Sequence, residues 1–241
     1  MVYSHRRELI FMKKLLCILL SVILLISLVG CFDDRSADDD KDDDDVRSTT
    51  ASNEPTTPEE VVPEFSLGQT SGSTYTNDFL GVRFDLPTGW QFYTDEQILA
   101  LNNIVGDYID ESVAEQLKNA NIIYDMYAVN HSNGNSINVT MEKLNAVQAM
   151  NLDTKAILEG QSSNITTMFQ KMGISNISIK YQKVTVGGKE HDGLVISGTS
   201  SSVSIYETMI AYQRGDYLVY ITACSTQTDT SLSILNGVTF N

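Results

Sequence analysis

A chain of 241 residues carries 31 acids against 16 bases, a formal net charge of −15. Residues 65–241 hold 17 acids and 9 bases with no basic cluster among them, which excludes a nucleic-acid partner from the expectations. The length left after a leader and an acidic stretch, about 170 residues, suffices for one domain with a substantial core.

Lys13 and Lys14 precede an apolar run from Leu15 to Val29, a positive n-region followed by an h-region. The run is shorter than the roughly 20 apolar residues that span a bilayer comfortably. It closes on Leu28-Val29-Gly30-Cys31, which resembles the lipobox of bacterial lipoproteins. The resemblance implies a diacylglycerol thioether on Cys31, cleavage before it, and a lipid bilayer as first partner. The alternative is a plain N-terminal transmembrane anchor with Cys31 incidental. Met1 and Met12 both stand as starts; a start at Met12 would leave Met1–Phe11 without a role.

Phe32–Ser73 reads as a tether. The run Asp38-Asp39-Asp40-Lys41-Asp42-Asp43-Asp44-Asp45 repels itself and cannot bury apolar surface. It lacks the spaced ligands and glycine of a calcium loop, so a solvated spacer is expected. Ser48–Pro63 continues it with Ser, Thr, Glu and three prolines. A spacer of this length suits a protein held at the extracytoplasmic face of a membrane under a thick, Gram-positive wall.

The folded domain is expected over 74–241. Tyr75–Phe79 and Val82–Pro87 read as strands, and Thr88-Gly89-Trp90-Gln91-Phe92 follows. Thr94 with Gln97 forms a capping box, opening a helical region that reaches Ala120. Asn121–His131 and Ser136–Leu144 form a hairpin across Asn133-Gly134. Asp153 caps a second helix carrying Ile157, Leu158, Ile165, Met168 and Phe169, with Gly173 to close it. The last third is a run of strands, 177–186, 192–198, 203–213 and 217–225, turning at Gly187-Gly188 and at Arg214-Gly215-Asp216. A short helix capped by Thr226 or Thr228 precedes Val238-Thr239-Phe240. The fold class is therefore α+β: one antiparallel sheet of about six to eight strands with helices packed on its faces.

Tyr75, Leu80-Gly81-Val82-Arg83-Phe84 and Leu86-Pro87-Thr88-Gly89-Trp90 resemble the opening of PsbP-like domains. The closing strand, short helix and Val238-Thr239-Phe240 are similar as well. The resemblance implies the α+β fold above and work done by binding proteins; it transfers no functional residue.

No catalytic constellation stands out. There is no Gly-x-Ser-x-Gly elbow, and Gly187-Gly188-Lys189 lacks the spacing of a phosphate loop. Glu190-His191-Asp192 sets one His between acids that point to the opposite face of a strand, a poor metal cage. No metal and no cofactor are expected. Cys224 reads as a packed, lone thiol in a buried strand. Two stretches are candidate contact sites. Trp90, Phe92 and Tyr93 could line a groove for a peptide or glycan, or pack in the core. Arg214-Gly215-Asp216 matches an integrin-read tripeptide, although a tight turn wants Gly and Asp anyway. The expected function is a non-catalytic, lipid-anchored binding or accessory module for another cell-envelope protein. The alternatives are an adhesin contacting host or matrix, and a cell-wall hydrolase.

Overall fold

A computed structural model describes residues 63–98, 122–201 and 203–241. The elements are β1 (Gln69–Ser71), β2 (Thr74–Asn77), β3 (Val82–Asp85), β4 (Trp90–Phe92), β5 (Ile122–Asn130), β6 (Ser136–Lys143), α1 (Ala146–Met150), α2 (Thr154–Lys171), β7 (Ile174–Val186), β8 (Lys189–Ser200), β9 (Val203–Arg214), β10 (Tyr217–Thr226), α3 (Ser231–Leu235) and β11 (Val238–Phe240).

The described strands form two antiparallel sheets, not one. The larger has seven strands in the order β4-β5-β6-β10-β9-β8-β7; the smaller has four, in the order β1-β2-β3-β11. The α+β class holds, and the expectation of a single sheet is corrected. The reason is visible in β10. All ten of its residues are buried. Leu218, Tyr220 and Cys224 face the core beneath α2, whereas Val219, Ile221 and Ala223 face Tyr75, Val82 and Phe84 of the small sheet. A strand covered on both faces reads as a continuous apolar run, and each covered face needs its own layer. The small sheet supplies the second layer, so its strands lie across the large sheet instead of extending it.

Local sequence explains the elements. Asp153 caps α2, its side chain accepting from the Ala156 N–H at 2.9 Å, and Gly173 follows the helix at φ 75°. Gly187 and Gly188, at φ 57° and 79°, join β7 to β8 in the primed turn that matches strand twist. At the β5–β6 hairpin only Gly134 of the Asn-Gly pair takes a positive φ. The Gly134 N–H donates to the Asn130 carbonyl at 2.8 Å, which makes a wider loop. Thr94 and Gln97 exchange the bonds of the expected capping box at 2.9 and 3.3 Å. The helix foreseen between Ile98 and Ala120 lies, beyond Ile98, outside the described residues, as do the leader, Cys31 and most of the tether.

Three boundaries differ from expectation. Asn145 and Gln148 form a capping box that opens α1, an element not anticipated. Helix α3 has Thr230 as N-cap, not Thr226 or Thr228, because Asp229 takes the Ser231 N–H and hydroxyl on its own carboxylate. Strand β1 pairs Gln69–Ser71 with Thr74–Thr76, and the Phe65 ring stacks on Tyr217 at 4.6 Å. Ordered packing therefore reaches back into the stretch read as tether.

Candidate functional site

The single tryptophan sits on β4, just past the Pro87-Thr88-Gly89 turn. The Trp90 N–H donates to the Pro87 carbonyl at 3.2 Å, and Gly89 takes φ 86°, a conformation open to a residue without Cβ. Trp90 and Phe92 point to the side of the small sheet and are half-buried against its core. Tyr93 points the other way and packs on Tyr127 at 5.0 Å, with the His131 ring at 6.3 Å. The three aromatics do not form one surface. The structure keeps Trp90 for a cleft and gives Tyr93 to a second, smaller cluster.

That cleft encloses about 230 Å³ and is lined by Phe84, Asp85, Pro87, Trp90, Asn135 and Ile234, with Ser233 and Gly237 at its edge. Three elements meet there: the end of β3, the turn into β4, and α3. Its back wall is fixed. The Asn135 Oδ1 accepts the Thr226 N–H at 3.2 Å, and its amide reaches the Thr230 hydroxyl at 3.4 Å. Asp85 stands on the rim, bound by both the Nε and Nη2 of Arg83 at 2.9 and 2.7 Å; Arg83 and Thr74 together hold its carboxyl below the ordinary value. Beside the cleft on α3, Leu232 is 43 % exposed. The result is an apolar slot with a neutralised acidic rim, shaped for a side chain and not for chemistry. Sequence reading singled out Trp90; Asn135, Ser233 and Ile234 were missed because they lie over 40 positions from it in the chain.

Arg214 turns into the fold, its Nε donating to the Phe79 carbonyl at 2.9 Å, while Gly215 takes φ 55° and Asp216 is exposed. The turn is tied to α1 through the Gln213 amide, which reaches the Ala149 and Gly215 carbonyls. His191 is buried, not turn-exposed. Its ring stacks on Phe240 at 4.8 Å and tilts against Tyr212 at 5.4 Å. Among the described residues its Nε2 and the Tyr212 hydroxyl have no hydrogen-bond partner. Burial first, then the Lys189 charge, lowers the His191 pKa. Asp192 accepts from Tyr181 and pairs with Lys183 at 2.8 Å, so it is engaged on the opposite side of β8. Among the described residues no three of His, Cys, Asp and Glu converge to hold a metal ion. Cys224 is disulfide-bonded, which corrects the expectation of a lone thiol; Cys17 and Cys31 lie outside the described residues. Among the described residues no helix is long and apolar enough to cross a membrane.

No family model and no curated protein matches the chain. Among the solved structures similar to parts of it are two. One is LpqN, involved in cell envelope biogenesis of Mycobacterium tuberculosis: 10 % identity, 66 % of this chain and 83 % of that one, TM-score 0.37. The other is a protein of unknown function, PA94 from Pseudomonas aeruginosa: 11 % identity, 46 % and 71 % coverage, TM-score 0.25. At these scores neither likeness carries a shared fold or a shared function.

Proposed function

We propose that the chain is a lipid-anchored, extracytoplasmic binding module, tethered at Cys31, that grips another cell-envelope protein through the Trp90 cleft and has no catalytic role of its own. The observation that carries the binding role is the open apolar slot formed by Trp90, Phe84, Pro87 and Ile234, with exposed Leu232 beside it. Aromatic anchors in a rigid pocket dominate contact energies. The location rests on Leu28-Val29-Gly30-Cys31 after the apolar run. The resemblance of Tyr75–Trp90 to PsbP-like domains suggests the same class of role.

The test is a photo-cross-linking residue at Ser233, on the edge of the slot, in cells making the full chain. The expected result is a discrete adduct with one envelope protein that Trp90→Ala removes while the melting temperature holds within a few degrees. Adducts that survive Trp90→Ala, or none at Ser233 while a control position such as Glu190 gives them, would contradict the reading. Turnover of wall material abolished by a single Ser or acidic substitution would replace it with the hydrolase alternative.

A further inference from the structure

Helix α1 keeps two large apolar side chains in water. Val147 and Met150 are 65 % and 77 % exposed, the highest values among the large hydrophobic side chains of the described residues. They stand three apart on a helix, and so on one face. The opposite side is used: Ala149 and, just past the helix, Leu152 pack against the core beneath α2. The helix is fixed to one end of the large sheet. The Leu144 N–H donates to the Asp216 carbonyl at 2.8 Å, and the Gln213 amide to the Ala149 carbonyl at 2.9 Å. The segment that leads back to Cys31 meets the fold at this same end. Phe65, 37 % exposed, stacks there on Tyr217. The strands after it lead the other way, Thr74 pairing with Asp85 on the cleft rim. Tyr217 opens β10 opposite Lys143, and Thr226 closes it beside Asn135 of the cleft wall. The steps from Tyr217 to Thr226, at ~3.3 Å each, set the two ends about 30 Å apart.

We propose that this end of the domain is a membrane-docking face, with Val147 and Met150 of α1 seated in the bilayer that carries the Cys31 lipid. The inference rests on the lipid anchor proposed above. A single exposed apolar side chain is ordinary on a protein surface. Two on one helix face, at the end where the chain leads to the anchor, are placed for a bilayer. Residues 32–62 join Cys31 to that end, and a tether holds a surface at an effective concentration on the order of millimolar. Two apolar side chains then suffice where a free domain would need a larger patch. Charge does not drive the contact. The turns and strand ends here carry Lys143, Lys189 and Arg214 beside Asp153, Glu190 and Asp216, with no basic cluster to hold anionic headgroups. A second copy of the chain fits poorly, because two side chains on a five-residue helix bury far less than the roughly 800 Å² per partner of a stable interface. Docked this way, the domain turns the Trp90 cleft away from the bilayer, where a partner can reach it.

The experiment uses the full chain with its native lipid, labelled at Met methyls and the Trp indole, in nanodiscs of phosphatidylcholine and, separately, of phosphatidylglycerol. Spin-labelled lipid is the probe. The expected result is strong broadening of the Met150 methyl in both lipids, unchanged by added salt, with none at the Trp90 indole or at Met209, which is fully buried. Val147→Asp is expected to weaken docking about tenfold, the transfer of one such side chain, and Val147→Leu to keep it. Val147 is exposed, so both variants are expected to melt with the parent. The proposal is overturned if Met150 broadens no more than the Trp90 indole in a sample whose mass shows diacylglycerol on Cys31, since the anchor then stands without a docking face. It is overturned if broadening requires two copies per disc, which makes a second copy the occupant, or if Val147→Asp changes nothing. A chain without lipid on Cys31 overturns the anchor and this inference together.

Discussion

Asp125 gathers donors from a segment about fifty positions away. Its oxygens accept from the Gly68 N–H at 2.8 Å, the Asn77 amide at 2.7 Å and the Tyr75 hydroxyl. Asn77 and Tyr75 are each 1 % exposed. Burial, and then Asp125, raise the Tyr75 pKa, so that hydroxyl keeps its proton as a donor. Asp125→Ala strands two buried donors, at about 1–3 kcal/mol each before relaxation. We expect a loss of about 2–4 kcal/mol in urea unfolding and faster proteolysis near Gly68; unchanged stability would contradict this. Two buried titrating groups pull in opposite directions. Glu207 has its pKa raised by burial, so its contribution is full below the unfolded value near 4.5 and is lost as pH rises above it. His191 has its pKa lowered by burial and Lys189, so its contribution is full above the unfolded value near 6.5 and is lost as pH falls. Thermal melts from pH 5 to 8 should therefore show Glu207→Gln gaining on the parent at the alkaline end. His191→Gln should gain at the acid end. Parallel curves for either variant would count against its group.

At the scale of elements, the β7–β8 hairpin offers the sharper test. Gly187 and Gly188 both have positive φ, but a Cβ on Gly187 would stand 2.7 Å from Phe240 Cδ2 and 3.1 Å from the Val238 carbonyl, whereas Gly188 has nothing within 4 Å. Gly188→Ala should cost about 1–2 kcal/mol for the left-handed backbone. Gly187→Ala should add an overpacking cost of about 1–3 kcal/mol and loosen β11. Equal losses would contradict the contact. This hairpin was legible in the sequence because glycine pairs mark primed turns, and α2 was legible because Asp153, its apolar stripe and Gly173 agree. Helix α1 was not. It buries no residue, leaving Val147 and Met150 65 % and 77 % exposed, so no apolar stripe marked it. Only the Asn145–Gln148 capping box gave a signal, and that signal went unused.

For the whole molecule, alternation identified strands but could not say which sheet each joins. Val82-Arg83-Phe84-Asp85 alternates as cleanly as any strand, with burial to match, yet its partners are β2 and the C-terminal β11. The pairing of Val238 with Phe84 and of Phe240 with Val82 joins distant segments that no local pattern links. The same limit hid most of the cleft: Trp90 was visible as the lone tryptophan beside a turn, but Asn135 and Ile234 come to it only through tertiary packing. The burial of β6 was hidden more deeply. Ser136, Asn138 and Thr140 alternate with Ile137, Val139 and Met141, the pattern of a strand with one wet face, and the fold buries both faces.

The proposal that the domain sits outside the cell on a lipid is tested most directly by a mass measurement. The protein extracted from its native membranes is expected to begin at Cys31 and to carry a diacylglycerol thioether there. The chain's other cysteines are Cys17 and Cys31, so an intrachain disulfide on Cys224 and a mature chain lipidated at Cys31 exclude one another, and the same spectrum decides between them. A chain that retains its leader, or an unmodified or disulfide-bonded Cys31, would contradict the anchor and the location argued from it.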